Sequence, residues 1–396
     1  MIIDLTSVAH GGYAVGRHEG KVVFVEGGIP GERVDAELTR EEKRFSYGRV
    51  VDVIDASNDR VSHVWPLAAE SAVGGADLGH VSITGQRRWK ADVITDALQR
   101  IGGGDVHRQV LNAAGAIEVQ GFSDGTRGTR TRVSFIADAE GRPAMRKAGS
   151  HETVPLDGMP LALQEIEALG LFDGDWQFVP GDPLKAVLPS DSAPVVVTPD
   201  GVWSAPGVPG DPRASETVLS RAGEYRYELA AGGFWQAHID APQVLLDAVV
   251  DGAALTGTEN VLELYSGAGL FTLPLAERAA HVTAIEGSRG AHADAIENTR
   301  GMNVTHRRSG VNPQVVDGQW DVVVLDPPRE GARLKVSRAI AATGAERIVY
   351  VACDPAALAR DLSALIPSYD VESFQAYDLF EHTHHIECVA VLRAHQ

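Results

Sequence analysis

The sequence predicts an α/β protein. A doubly wound, Rossmann-like sheet is expected at 231–396, an OB-like β-barrel at 1–56, and a mixed α+β region at 57–230 between them. Two observations carry this reading. From about residue 231 onward, strand-like apolar runs alternate with helix-like runs, the mark of a parallel sheet covered on both faces. Before residue 56 the runs are short and broken by glycine, and a small closed barrel is the economical way to bury them. A chain of 396 residues has room for two or three domains with real cores.

Taken in order, the first region reads IIDLTSVAH, then GGYAVGRHEGKVVFVEGGIPGERVDAEL, then GRVVDVIDA. Lys21 to Val25 is a strand, and Gly27-Gly28-Ile29-Pro30-Gly31 is a turn cluster. In the middle region a helix is expected at 86–101, with Trp89, Val93, Leu98 and Ile101 on its apolar side and Gly102 to Gly104 ending it. It is expected to pack on the last domain. A strand follows at Thr131 to Ile136, and Pro- and Gly-rich text from Pro189 to Pro212 marks the approach to a boundary. The last region gives NVLELYSG, FTLPLAERA, HVTAIEG, GAHADAIENTRGM, WDVVVLDPP, VSRAIAATG, RIVYVAC, PAALARDL and HIECVAVLRA.

Composition narrows the classes. Hydrophobic content of 44% and charged content of 22% are those of a soluble globular chain. No apolar run reaches membrane-span length, and the N-terminal MIIDLTSVAHGG lacks a signal pattern. Two cysteines cannot build a disulfide framework, so a cytoplasmic location is expected. A formal net charge of −19 argues against indiscriminate nucleic-acid binding. One local exception is RGTRTRVSFIADAEGRPAMRK, with six basic residues, including Arg127, Arg130, Arg132 and Lys147, against two acids. By itself this reads as a hairpin with a solvated face.

The chemistry gathers in the last region. The first strand runs into Tyr265-Ser266-Gly267-Ala268-Gly269-Leu270-Phe271, where Gly267 and Gly269 allow a tight turn and close approach to a ligand. Thr272 stands where a dinucleotide fingerprint needs its third glycine, which disfavours a nicotinamide dehydrogenase. Glu286 ends the next strand, placed to hold the hydroxyls of an adenosine ribose. Asp326-Pro327-Pro328 ends a third strand, and its prolines force an irregular exit that walls a cleft. Cys353 lies at the end of a fourth strand, just before the helix start Asp354-Pro355. A helix start favours thiolate, although a lone cysteine is more often a small buried apolar residue. Glu387 is an acid on an otherwise apolar final strand, and such a carboxylate needs a partner or a task. The histidines of HTHHIEC form an ordinary polar loop, and no metal is expected.

These motifs, in this order, resemble the bacterial S-adenosylmethionine-dependent RNA uridine-5-methyltransferases that carry an N-terminal TRAM domain. The likeness spans nearly the whole chain, through the barrel text, FWQAHIDA, ELYSGAGLF, LDPPREG, VYVACDPAALARDL and HTHHIECVAVL. It implies S-adenosylmethionine as cofactor, with Gln236, Tyr265, Gly267, Gly269, Leu270, Glu286 and Asp326 toward it. Cys353 falls on the family's nucleophile and Glu387 on its general base. RNA would be held by the barrel, by Pro327 and Pro328, and by Arg127, Arg130, Arg132 and Lys147. Ribosomal RNA is expected rather than transfer RNA, with no membrane role and a monomeric state. Many relatives hold an iron–sulfur cluster on four cysteines, but here those positions read Trp65, Val73, Ala76 and Met159, so no cluster is expected. Ser266, Leu270, Ala352 and Asp354 also depart from the usual residues. Two other readings stay open, an RNA-binding protein that kept the fold and lost its chemistry, and a small-molecule methyltransferase.

Overall fold

The structure, a computed structural model, describes residues 1–71, 73–147 and 150–395. Five strands, β1 (Ile2–Ala9), β2 (Tyr13–His18), β3 (Lys21–Glu26), β4 (Arg33–Glu41) and β5 (Phe45–Asp55), close a barrel in the order β1-β2-β3-β5-β4. Alternate residues such as Ile3, Leu5, Ala14, Val23, Val25, Val34 and Ala36 fill its interior. Glycine is required where strands crowd: a β-carbon on Gly16 would stand 2.6 Å from the Asp4 carbonyl oxygen.

In the middle region, β7 (Arg132–Ala137), β8 (Pro143–Arg146), β9 (Thr153–Pro155), β10 (Pro183–Val187), β11 (Val195–Thr198), β12 (Gly201–Ala205) and β13 (Val208–Pro209) form one sheet. They run in the order β13-β12-β11-β10-β7-β8-β9, every pair antiparallel. Trp65, Val73, Ala76 and Met159 all lie buried in the core against this sheet. The four positions thus belong to one apolar cluster that offers no thiolate, and these residues do not fit an iron–sulfur cluster. A separate hairpin, β14 (Arg213–Ser220) with β15 (Gly223–Ala230), leads into the last region.

The C-terminal sheet contains β16 (Asn260–Leu264), β17 (His281–Glu286), β18 (Val304–Arg308), β19 (Val322–Leu325), β20 (Arg347–Ala352), β21 (Tyr369–Asp378) and β22 (Glu387–Ala394). Its eighth strand is β6 (Val119–Gly121), and the order is β18-β17-β16-β19-β20-β22-β21-β6. From β18 to β20 all pairs are parallel, whereas β22 runs against both β20 and β21. The chain leaves β16 toward β17 and later returns to β19 on its other side. That reversal opens a crevice at the carboxyl edge between β16 and β19, where such sheets bind ligands. Position in the chain assigns β6 to the middle region; in space it is the outermost strand of this sheet.

The expected helix at 86–101 runs from Ile83 to Ala97, with Ser82 as N-cap, and ends in a wide turn at Leu98–Gly102. Trp89, Val93 and Leu98 are buried as expected, but Ile101 is exposed. The same helix also buries polar residues. Gln86 accepts from the His382 backbone N–H at 2.7 Å and donates to the Val81 carbonyl at 2.8 Å. The Lys90 ammonium, fully buried, bonds the equally buried Asp378 carboxylate and the Phe380 carbonyl. Two buried polar side chains thus fix the segment from Asp378 to His382, which leads directly to Glu387. Among the described residues no helix is long and apolar enough to cross a membrane.

Breaking a buried ion pair strands the remaining charge. Lys90→Met is therefore expected to cost about 3–5 kcal/mol of stability. Lys90→Met with Asp378→Asn should recover most of that loss, and thermal unfolding of the three proteins checks it.

Candidate active site

The loop after β16 is held from three sides. The Gly267 N–H donates to Glu286 Oε2 at 2.9 Å, and the Ser288 N–H donates to Glu286 Oε1 at 2.6 Å. Asn298 Nδ2 donates to the Ala268 carbonyl at 2.9 Å, and the Tyr227 hydroxyl donates to the Leu270 carbonyl at 2.9 Å. Trp235 lies against the Tyr227 ring at 5.0 Å, which seats the segment bearing Gln236 beside the loop. Gln236 is buried, and its side-chain amide has no hydrogen bond to any described residue. Leu270 is buried among apolar neighbours beneath the loop.

The loop's backbone is unusual. Tyr265 at φ 63°, Gly267 at φ 56° and Gly269 at φ 96° all occupy the left-handed region. Nothing lies within 4 Å of where a Gly267 β-carbon would stand, so the glycine leaves a cradle open at the sheet edge. Beneath it, Ser266 Oγ is buried without a partner, and the buried Glu263 carboxylate has only the Thr272 hydroxyl beside it. Burial pushes Glu263 up to about 8, with Asp326 and Glu286 adding to the shift. Glu263 is not among the residues expected from the sequence, yet it carries the signal that singles out Glu387, an acid on an apolar strand.

Asp326, Cys353 and Glu387 stand at one edge. Asp326 follows β19, Cys353 follows β20, and Glu387 begins β22, and these three strands are adjacent. Register pairs Leu325 with Tyr350 and Ala352 with Cys388, so the three groups line up across the strand ends. Glu387 is buried, Cys353 and Asp326 are half-buried, and Cys388 is fully buried. Pro327 is also buried, whereas Pro328 and Arg329 are exposed.

The electrostatics correct one expectation. The Cys353 thiol is pushed up to about 12, mostly by burial and then by Glu387 and Asp326, with Arg329 opposing. The helix start does not favour thiolate because Asp354 already occupies it, accepting the Ala357 N–H at 2.7 Å. Burial alone raises Asp326 to about 7. Glu387 is held well above the usual carboxylate range, by burial first and Asp326 second, with Arg329 opposing. No described cation is ion-paired with any of the three.

The basic stretch is dispersed. Arg132 is buried and ion-paired with Glu216 at 2.5 Å, so it offers nothing to a phosphate. Arg130 donates to the Gly75 carbonyl at 2.9 Å, and Lys147 pairs with Glu152 at 2.5 Å. Arg127 is exposed. The His-rich loop divides its side chains among different partners, His384 to Asp77 at 2.7 Å and His385 to Arg329 at 3.0 Å.

Comparison with known proteins agrees with this geometry. Residues 2–51 match the TRAM domain model, and residues 306–395 match the tRNA (uracil-5-)-methyltransferase model. Residues 234–293, around the glycine loop, match the ribosomal RNA adenine dimethylase model. The chain is 38% identical to an uncharacterized RNA methyltransferase of Bifidobacterium longum, over 98% of this chain and 95% of that one. It is 29% identical to the 23S rRNA (uracil(1939)-C(5))-methyltransferase of Alkalilimnicola ehrlichii, over 99% and 96%. The Pyrococcus abyssi tRNA (uracil-54, C5)-methyltransferase, solved with S-adenosyl-L-homocysteine, superposes with a TM-score of 0.70 at 19% identity, over 98% and 99% of the chains. The likeness in sequence over nearly full length, with the barrel and the cleft in the same order, establishes that the chain belongs to the TRAM-domain, S-adenosylmethionine-dependent RNA (uracil-5-)methyltransferases.

Proposed function

We propose that the protein methylates C5 of a uridine in ribosomal RNA through a covalent adduct between Cys353 and C6. The observation that carries this is the placement of Cys353 and Glu387 on neighbouring strands beside the glycine cradle. Ribosomal RNA is favoured because the Alkalilimnicola relative named for 23S rRNA aligns over 99% of this chain.

The cleft fits the cofactor. Gly267 leaves room that a β-carbon would fill, and Glu286 spends two bonds on the backbone while a carboxylate has about four acceptor sites. The remaining sites suit ribose hydroxyls. Asp326, raised by burial with no counter-charge, suits a cationic methionine end. When bound, S-adenosylmethionine supplies an electrophilic methyl group on a sulfonium.

The chain's own residues supply the rest. Uracil C5 is a weak nucleophile, and covalent addition at C6 activates it. The Cys353 thiol gives up its proton to solvent, Sγ bonds to C6, and the C5–C6 π electron pair moves onto the C4 oxygen as an enolate. C5 then takes the methyl group. The Glu387 carboxylate removes the C5 proton, the C5–C6 double bond re-forms, and the C6–S bond breaks to release the Cys353 thiolate. A carboxylate made more basic by burial suits removal of a carbon-bound proton. To reach this cleft the uridine must leave its stack.

The barrel offers a surface for flanking RNA. Tyr13, Phe24, Phe45 and Tyr47 are half-buried on the outer side of β2, β3 and β5, with ring centroids 5.4 to 6.4 Å apart. The Arg40 guanidinium lies 4.2 Å from the Tyr47 ring centroid. Rings and a guanidinium on one face suit stacking by unpaired bases.

Cys353→Ala should abolish both methyl transfer to RNA and the gel-stable adduct with 5-fluorouridine-substituted RNA; retained transfer refutes the nucleophile. Glu387→Gln should accumulate a methylated protein–RNA adduct, and prompt release of product would count against the base. Asp326 titrates higher in the folded chain than in the unfolded one, so its contribution to stability falls as pH rises between 3.8 and about 7. Asp326→Asn should accordingly raise the unfolding free energy at about pH 8 by on the order of 1–3 kcal/mol, read by denaturant melts, with the gain vanishing near about pH 4.

A further inference from the structure

The barrel's β1–β2 turn, His10-Gly11-Gly12, touches both arms of the cleft. On one arm His10 Nε2 lies 3.2 Å from Asp354 Oδ2, with the imidazole 49% exposed and Asp354 18%. Asp354 is the residue after Cys353, and its other oxygen caps the following helix. On the other arm, Gly12 packs against Asp77 so closely that a β-carbon would stand 2.6 Å from Oδ2. That same oxygen accepts the His384 backbone N–H at 2.9 Å and faces its ring at 2.7 Å. His384 is three residues before Glu387, and its ring meets His10 edge-on at 5.9 Å. A single turn of the barrel therefore braces the elements that carry the sulfur and the acid.

We infer that His10 is a positioning residue, which holds Asp354 by a hydrogen bond and so couples the seating of the barrel to the readiness of Cys353. The groups facing its imidazole are Asp354 from the nucleophile turn, His384 from the loop before β22, and Arg329 from the loop after β19. Asp354 raises the imidazole's proton affinity first through their hydrogen bond, and Arg329 works against it. The contact at 3.2 Å shares the Asp354 carboxylate with the imidazole, and its loss would leave that oxygen unpartnered beside the thiol. Asp354 already acts on Cys353 in that sense. Asparagine caps a helix as well as aspartate but carries no charge. The acid here is matched by a barrel histidine within reach.

This inference rests on the role proposed for Cys353, but its test can be read without methyl transfer. Cys388 is fully buried, so iodoacetamide reports on Cys353. His10→Ala is expected to slow alkylation about tenfold at about pH 8, one unit in the thiol's titration. Asp354→Asn should speed it, and the double variant should match Asp354→Asn alone. In methyl transfer, His10→Ala should lower kcat about tenfold with the RNA KM unchanged, and His10→Gln, which keeps a donor, should recover most of kcat. Wild-type alkylation in His10→Ala, or a His10 effect that persists beside Asp354→Asn, overturns the inference. So does a raised RNA KM at unchanged kcat, which would make His10 a phosphate contact. Should His10→Ala fail to fold, His10→Phe, which keeps a ring but no donor, compared with and without Asp354→Asn distinguishes the same outcomes. A wild-type enzyme that transfers no methyl would sink the proposed function, while the alkylation series would still decide the part played by His10.

Discussion

The organising constraint is three acids at one dry strand edge. Asp326, Cys353 and Glu387 share a partly desolvated edge, where the charges of Glu387 and Asp326 raise the proton affinity of Cys353 and that of Asp326 raises Glu387. Desolvation is the largest cause in every case, and Arg329 is the one described cation that works against it for Cys353 and Glu387. Such a cleft is costly for an empty protein and well suited to a cationic guest. The chain gives up stability there and recovers it elsewhere, in the apolar core of the parallel strands.

That edge exists because of topology. Reversal of strand order between β16 and β19 leaves the crevice, and the antiparallel β22 brings the start of a late strand to the ends of earlier ones. No local stretch of sequence contains this site. Glu387 is 34 residues beyond Cys353 in the numbering and on the next strand in space. The helix Ile83–Ala97 then fixes the approach to Glu387 through Gln86 and Lys90, and the barrel's first turn meets the same approach from the opposite side.

The parts legible in the sequence are those governed by neighbours in the chain. Strand–helix alternation, the glycine loop with Glu286 in register, Asp354-Pro355 as a helix start and the glycine-broken barrel all depend on a few adjacent residues. What stays hidden depends on distant partners. Arg132 reads as part of a basic stretch because Glu216, which neutralises and buries it, is 84 positions away. Gln86 and Lys90 read as a polar helix face because the segment that covers them lies nearly 300 positions later. The helix start after Cys353 is plain in the sequence, but its effect on the thiol is not. The same Asp354 that announces the helix also cancels the positive end that would have favoured thiolate.

The global charge also has a consequence for recognition. A chain of formal net charge −19 repels a phosphate backbone at long range, and its one basic stretch is largely tied up in internal contacts. Affinity for RNA must then come from contacts that act at short range. Ring faces on the barrel are suited to this, since stacking needs no net positive charge and tolerates any base. Stacking alone carries little sequence information, so under the proposed mechanism discrimination falls to the cleft, where one pyrimidine would present C6 to a thiol and C5 to a carboxylate. In the proposed reaction the barrel therefore supplies holding and the strand edge supplies choice. His10 stands where the two meet, which gives RNA seated on the barrel a physical route to the sulfur that must attack it.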